Sequence, residues 1–206
     1  MSRQEFIDSL FNVLETVKQC DVIEKSTFNN TFELVVKNLL LRNGFLDYKC
    51  DYNKHKIGKY FKYHPNGTQR APDFEILLCV DGIVQVKIPI EVKSSKSKRI
   101  FLNDGWFKPE YIYIISCIPS KKGRRVIIAM GNDIASREET LFRNNIVDTP
   151  LNTFNKQIKS SKPDHFSYEP NLRKADKYAF KDDAKWTDQY IREIFDYVKM
   201  YIFFIH

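Results

Sequence analysis

Apolar residues recur at helical spacing from Phe6 through Leu10, Phe11, Leu14 and Val17, which predicts a first amphipathic helix. A second stripe, Phe28, Phe32, Val35, Val36, Leu39 and Leu40, predicts another helix over 28–40, stopped at Asn43-Gly44. The period then changes. Phe74, Ile76, Leu78 and Val80 alternate with other residues, and Val84, Val86, Ile88, Ile90 and Val92 alternate with Gln85, Lys87, Pro89, Glu91 and Lys93. That is a period of two, and it predicts strands at 74–80 and 83–93 around an Asp81-Gly82 turn. A short strand at 60–63 leads into a turn at His64-Pro65-Asn66-Gly67, and two more strands are expected at 111–117 and 125–130. Residues 132–145 read as a helix capped by Asn132 or Asp133, and 186–205 as a last helix carrying Tyr190, Ile191, Ile194, Phe195, Val198 and Ile202. Between them, 149–183 is polar, holds Pro150, Pro163 and Pro170, and shows no clean period. The pattern predicts an α/β (α+β) chain with a central mixed sheet flanked by helices.

At 206 residues, 43% of them hydrophobic, the chain suits one domain over 1–206 with a substantial core. The formal net charge of +7 makes an acidic partner plausible, nucleic acid being the commonest. Cys20, Cys50, Cys79 and Cys117 have no zinc spacing, and His55, His64, His165 and His206 are scattered, so reduced thiols in an intracellular, cytoplasmic protein are expected. The N-terminus precedes an amphipathic run rather than an apolar one, and no apolar stretch approaches the roughly 20 residues a membrane span needs. Neither a signal peptide nor a membrane partner is expected.

Candidate chemistry lies in the hairpin. Strand alternation puts Glu91 and Lys93 on one face, roughly 6–7 Å apart along the strand. A two-residue turn pairing Val80 with Ile83 would set Asp73 opposite Ile90, on the wrong face. Pairing Val80 with Val84 unites the apolar sets and sets Asp73 opposite Glu91. Because a one-residue slip inverts every side chain, burial should enforce the second register. A three-residue loop or a bulge is therefore expected, with the two carboxylates about 4–6 Å apart.

Two carboxylates held together in a half-buried sheet repel unless a cation lies between them. Mg²⁺, a hard ion that keeps several waters and takes one or two carboxylates, fits that need. Beside such an ion Lys93 is placed to orient a water or stabilise developing charge. The plainer alternative is a salt-bridged hairpin edge. Asp-then-Asp-x-Lys spacing also recurs at Pro163-Asp164 and Asp183-Ala184-Lys185, but there no strand aims the side chains. Context separates the two.

Pro72-Asp73, the hairpin, and Ile90-Glu91-Val92-Lys93 resemble the PD-(D/E)xK nuclease superfamily, with its restriction-endonuclease-like αβββαβ core. The resemblance lays that core on about 26–130, leaving 131–206 as a helical and irregular part for DNA recognition or dimerisation. One departure stands out: no convincing crossover helix lies between Lys93 and Tyr111. The stretch from Glu91 through Ser94-Ser95-Lys96 and Asn103-Asp104 to Tyr111-Ile112 is most similar to small type II restriction endonucleases.

The resemblance implies a Mg²⁺-dependent endonuclease that cuts double-stranded DNA to 5′-phosphate and 3′-hydroxyl ends, as a homodimer with a companion methyltransferase. It implies metal ligation by Asp73, Glu91 and the Val92 carbonyl, a Lys93 that positions the nucleophile, and an assisting Glu33 from the 28–40 helix. Lys96, Lys98 and Arg99, and Lys121, Lys122, Arg124 and Arg125, would neutralise phosphates, while Asn103 or Lys108 would read bases. A repair nuclease or junction resolvase of the same fold is the alternative, and a non-catalytic DNA-binding protein is the alternative from another class.

Overall fold

Two helices and a six-stranded mixed sheet make up most of the computed structural model. It describes residues 2–19, 30–51, 57–67, 70–94, 99–102, 107–120, 123–135, 141–143, 145–146, 149–161 and 172–175. The elements are α1 (Arg3–Gln19), α2 (Asn30–Arg42), β1 (Leu46–Asp47), α3 (Tyr48–Asp51), β2 (Gly58–Tyr63), β3 (Phe74–Val80) and β4 (Ile83–Ser94). They continue with β5 (Arg99–Leu102), β6 (Ile112–Ser120), β7 (Gly123–Met130), α4 (Gly131–Ile134), α5 (Thr149–Ser161) and β8 (Leu172–Ala175). The main sheet runs β1-β2-β3-β4-β6-β7, and β5 pairs with β8 in a separate two-stranded sheet. Strands β2, β3 and β4 form an antiparallel meander, and β6 then joins β4 in parallel.

The predicted apolar stripes become one layer. Phe6, Leu10, Val13, Leu14 and Val17 of α1 and Phe32, Val36 and Leu40 of α2 pack on Phe74, Ile76 and Leu78 of β3, Val86, Ile88, Ile90 and Val92 of β4, and Ile112 and Ile114 of β6. Each fully buried Phe, Leu or Ile there contributes on the order of 1.5–3 kcal/mol. The opposite face carries a second cluster, Phe107, Tyr111, Tyr113, Ile115, Ile127 and Ala129. Central strand β3 is buried on both faces, so Leu77 and Cys79 pack against Tyr60 behind the main core.

The hairpin resolves the register question with a bulge instead of a longer loop. Val80 pairs with Ile83 around a two-residue turn, in which Asp81 and Gly82 both have positive φ, 48° and 80°. The three-residue Asp81-Gly82-Ile83 loop is therefore corrected, for the doubly left-handed turn matches strand twist and suits Asp-Gly. The ladder then shifts: Cys79 pairs with Val84 but Leu78 with Val86, leaving Gln85 as the extra residue. From there the pairing runs Ile76 with Ile88 and Phe74 with Ile90, so the next rung sets Asp73 opposite Glu91. Pro89 falls just before β4 begins to pair with β6 at Ile90, where a missing N–H is tolerated.

Two expectations change. The helix expected at 132–145 starts earlier, at Gly131, with Met130 as N-cap, and is interrupted after Ile134 by an extended Ala135; residues 141–143 are helical again, and 136–140 and 144 lie outside the described residues. Its start is set by packing: a Cβ on Gly131 would lie 1.9 Å from the Lys108 carbonyl oxygen, and the Gly131 N–H donates to the Tyr111 carbonyl. Within the supposedly aperiodic 149–183, Thr149–Ser161 is helical, Pro150 being accommodated in its first turn, where an N–H has no partner anyway. Strand β8 also falls in that stretch. The helix expected at 186–205 and the second Asp-x-Lys pattern near Pro163 lie outside the described residues.

Between β4 and β6 the described residues hold strand β5 and a loop, with no helix. No described helix is long and apolar enough to cross a membrane.

Candidate active site

Asp73 sits at the hub of three strand ends. The β2–β3 pairing ends with Tyr63 opposite Phe74, and the His64 N–H then donates to the Asp73 carbonyl at 2.8 Å. On the other side the β3–β4 ladder ends at Phe74–Ile90, and the Asp73 side chain takes over: its Oδ2 accepts the Val92 N–H at 2.7 Å. Asp73 is thus clamped between His64 and the Glu91–Lys93 segment.

Glu91 lies on the face opposite the main core, paired in the parallel ladder with Tyr113, and is 2% exposed. Lys93, one alternation further along β4, places its ammonium 2.5 Å from Glu91 Oε1. The Glu91–Lys93 pair is therefore largely withdrawn from water.

Glu33 occupies the first turn of α2, and only 13% of its side chain is exposed, so it does not face solvent. Its Oε2 accepts the Tyr63 hydroxyl at 2.9 Å and faces His64 Nε2 at 3.3 Å. One ligand atom from each of Glu33, His64 and Asp73 falls within 4.8 Å of the others. The structure therefore brings Asp73, Glu91, Lys93 and Glu33 to one end of the sheet. The Val92 N–H serves Asp73, holding the segment that bears Glu91 and Lys93 in place.

The electrostatics follow from crowding. Burial first, and then the Glu91 carboxylate, push the Asp73 carboxyl up to about 7, with Glu33 adding to the rise. The Val92 N–H and Lys93 oppose that rise without cancelling it. Burial and the hydrogen bond to Glu33 push the Tyr63 hydroxyl well above its ordinary value, so it stays a proton donor. Burial likewise raises the Tyr113 hydroxyl, which accepts the Lys108 N–H at 2.9 Å. Among the described residues, three carboxylates share this corner with one ammonium and one imidazole, donors that could hold a cation.

Sequence reasoning missed His64 and Tyr63. The strand at 60–63 and the turn after it were both legible, but the partner of that strand was not. Once β2 pairs with β3, His64 stands opposite Asp73.

The basic residues fare differently. Lys108 is half-buried, with its ammonium 3.2 Å from the Tyr111 hydroxyl and 4.8 Å from that ring's centre, so it braces the loop before β6. Arg99 lies on β5, and Arg124 and Arg125 on β7. Lys96, Lys98, Asn103, Lys121 and Lys122 lie outside the described residues.

Set against protein-family models and curated protein sequences, the chain matches none.

Proposed function

We propose that this protein is a Mg²⁺-dependent endonuclease acting on double-stranded DNA, of the PD-(D/E)xK kind, and that it serves as a type II restriction enzyme working as a homodimer. The observation that carries the reading is the meeting of Asp73 and buried Glu91 at one end of the ladder, with the Lys93 ammonium alongside, a crowding that with burial pushes the Asp73 carboxyl up to about 7. A structural salt bridge needs one carboxylate per ammonium, whereas the described residues of this corner hold a surplus of carboxylate. Hard oxygen donors from Asp73 and Glu91, with the Val92 carbonyl, suit Mg²⁺. Bound there, Mg²⁺ supplies the charge that ionises a water and neutralises the phosphate.

The chain's own groups do the rest. Asp73 and Glu91 hold their carboxylates in a fixed relation because they face each other across the rung that follows Phe74–Ile90. Lys93 stands beside Glu91, where an ammonium can orient the attacking water and offset charge growing on the phosphate. Glu33, braced by Tyr63, closes the corner from the helix side. A net charge of +7 favours binding to a polyanion.

Incubation with plasmid DNA with and without Mg²⁺ tests the reading. Discrete fragments that appear only with Mg²⁺ support the restriction role. Structure-dependent nicking moves the assignment to a repair nuclease or junction resolvase. DNA binding without any cleavage makes the protein a non-catalytic binding module and removes the enzymatic reading.

A further inference from the structure

His64 is held as a ligand is held. Its backbone N–H is bonded to the Asp73 carbonyl, and its ring lies against Tyr63 with centroids 3.9 Å apart. Tyr63 in turn stacks on Phe74 at 5.0 Å, so the ring rests on the edge of the core. Of its two nitrogens, Nε2 faces Glu33 Oε2, which the Tyr63 hydroxyl also engages. The other, Nδ1, is buried with no hydrogen-bond partner among the described residues and lies 3.7 Å from Asp73 Oδ1.

That separation is too long for a hydrogen bond. It suits two ligands of one ion, since metal–ligand bonds of about 2.0–2.2 Å set neighbouring donor atoms roughly 3–4 Å apart. A carboxylate on the far nitrogen of an imidazole fixes the tautomer that leaves the near nitrogen's lone pair available to a metal. Glu33 occupies that far position, and Asp73 Oδ1 is the oxygen that the Val92 N–H does not use.

We infer that His64 is a cation ligand, its Nδ1 and Asp73 Oδ1 together forming a position that prefers a transition-metal ion of the Co²⁺ type over Mg²⁺. Imidazole nitrogen suits the later first-row ions, whereas Mg²⁺ takes oxygen donors and water. The inference rests on the metal-dependent reading above only through Asp73, which both share. Glu33 is a positioning residue here, acting through His64.

Calorimetric titration of the DNA-free protein with Co²⁺ and with Mg²⁺ reads the site directly. Co²⁺ is expected to bind at least about tenfold more tightly than Mg²⁺. His64→Ala and His64→Gln are each expected to weaken Co²⁺ by about tenfold or more while moving Mg²⁺ by less than about threefold. Unchanged Co²⁺ affinity in a folded His64 variant overturns the inference. If both variants unfold, a chain with His55, His165 and His206 replaced by alanine keeps His64 as its sole imidazole. Its Co²⁺ form should show a strongly shifted imidazole N–H resonance in proton NMR, and absence of that resonance overturns the inference. Plasmid cleavage is scored separately. Mg²⁺-dependent cutting with Co²⁺ binding indifferent to His64 overturns this inference alone. Co²⁺ binding that depends on His64, without any cutting, supports it while removing the endonuclease reading.

Discussion

Two buried glutamates share one face of the β3–β4 ladder and are treated oppositely. Glu75, 7% exposed, forms an ion pair with Lys87, an ammonium that is largely in water. Glu91, 2% exposed, forms an ion pair with Lys93, whose side chain is only 16% exposed. Each has its lysine, so pairing does not distinguish them. The surroundings do. Next to Glu91 lies Asp73, with Glu33 beyond it, and among the described residues negative charge at that end of the ladder is in excess. A balanced buried pair is an ordinary structural device, while a buried surplus of carboxylate asks for a cation.

The largest effect that the proposed nuclease reading expects to separate the two pairs is on cleavage. Lys93→Ala should reduce plasmid cleavage by about 10²–10³-fold or more, as expected for loss of a group that stabilises developing charge, while DNA binding in a gel-shift assay persists. Full cleavage by the folded variant would remove Lys93 from the site, and with it the contrast with Lys87.

Next comes the pH dependence of stability. The folded Asp73 carboxyl titrates at about 7 instead of 3.8, so the native chain retains a proton that the unfolded chain releases. Its contribution is present below the unfolded value and is lost as pH rises through the window up to about 7. In the absence of divalent ions, the unfolding free energy from urea denaturation should therefore fall between about pH 4 and 7, by an amount on the order of a few kcal/mol. Asp73→Asn should flatten that decline. A profile unaltered by Asp73→Asn would show that the carboxylates at this corner are not in conflict.

Smaller effects come from the turn and from the balanced pair. Gly82→Ala, at φ 80°, should cost about 1 kcal/mol in denaturant unfolding, with cleavage retained because the bulge and not the turn sets the register at Asp73. The smallest is Lys87→Ala. With Lys87 mostly in water, its loss should cost about 0.2–1 kcal/mol and leave cleavage unchanged. A drop in cleavage comparable to that of Lys93→Ala would mean that the two pairs are not different in kind.

Much of this was legible from local pattern. Period-two alternation in 74–93 identified both strands, and the demand that Phe74, Ile76 and Leu78 meet Val86, Ile88 and Ile90 required one extra residue in the hairpin. That requirement follows from burial alone, and so the sequence already implies Asp73 opposite Glu91. Where the extra residue would go was not deducible. The apolar faces are satisfied equally by a three-residue loop or by a bulge, and local backbone preference at Asp81-Gly82 chose the two-residue turn with Gln85 bulged.

The sequence by itself determined the two helical stripes, the hairpin and the alternation that puts Glu91 and Lys93 on one face, because these depend on neighbours a few residues apart. Tertiary structure alone decided the rest. It brought Glu33 in from α2, placed His64 against Asp73 through the β2–β3 pairing, and turned Lys108 onto Tyr111. It also made β3 a strand buried on both faces and started α4 at Gly131, where the Lys108 carbonyl leaves no room for a side chain. Each of these depends on residues far apart in the chain meeting across the sheet, and a one-dimensional period carries no information about which strand lies next to which.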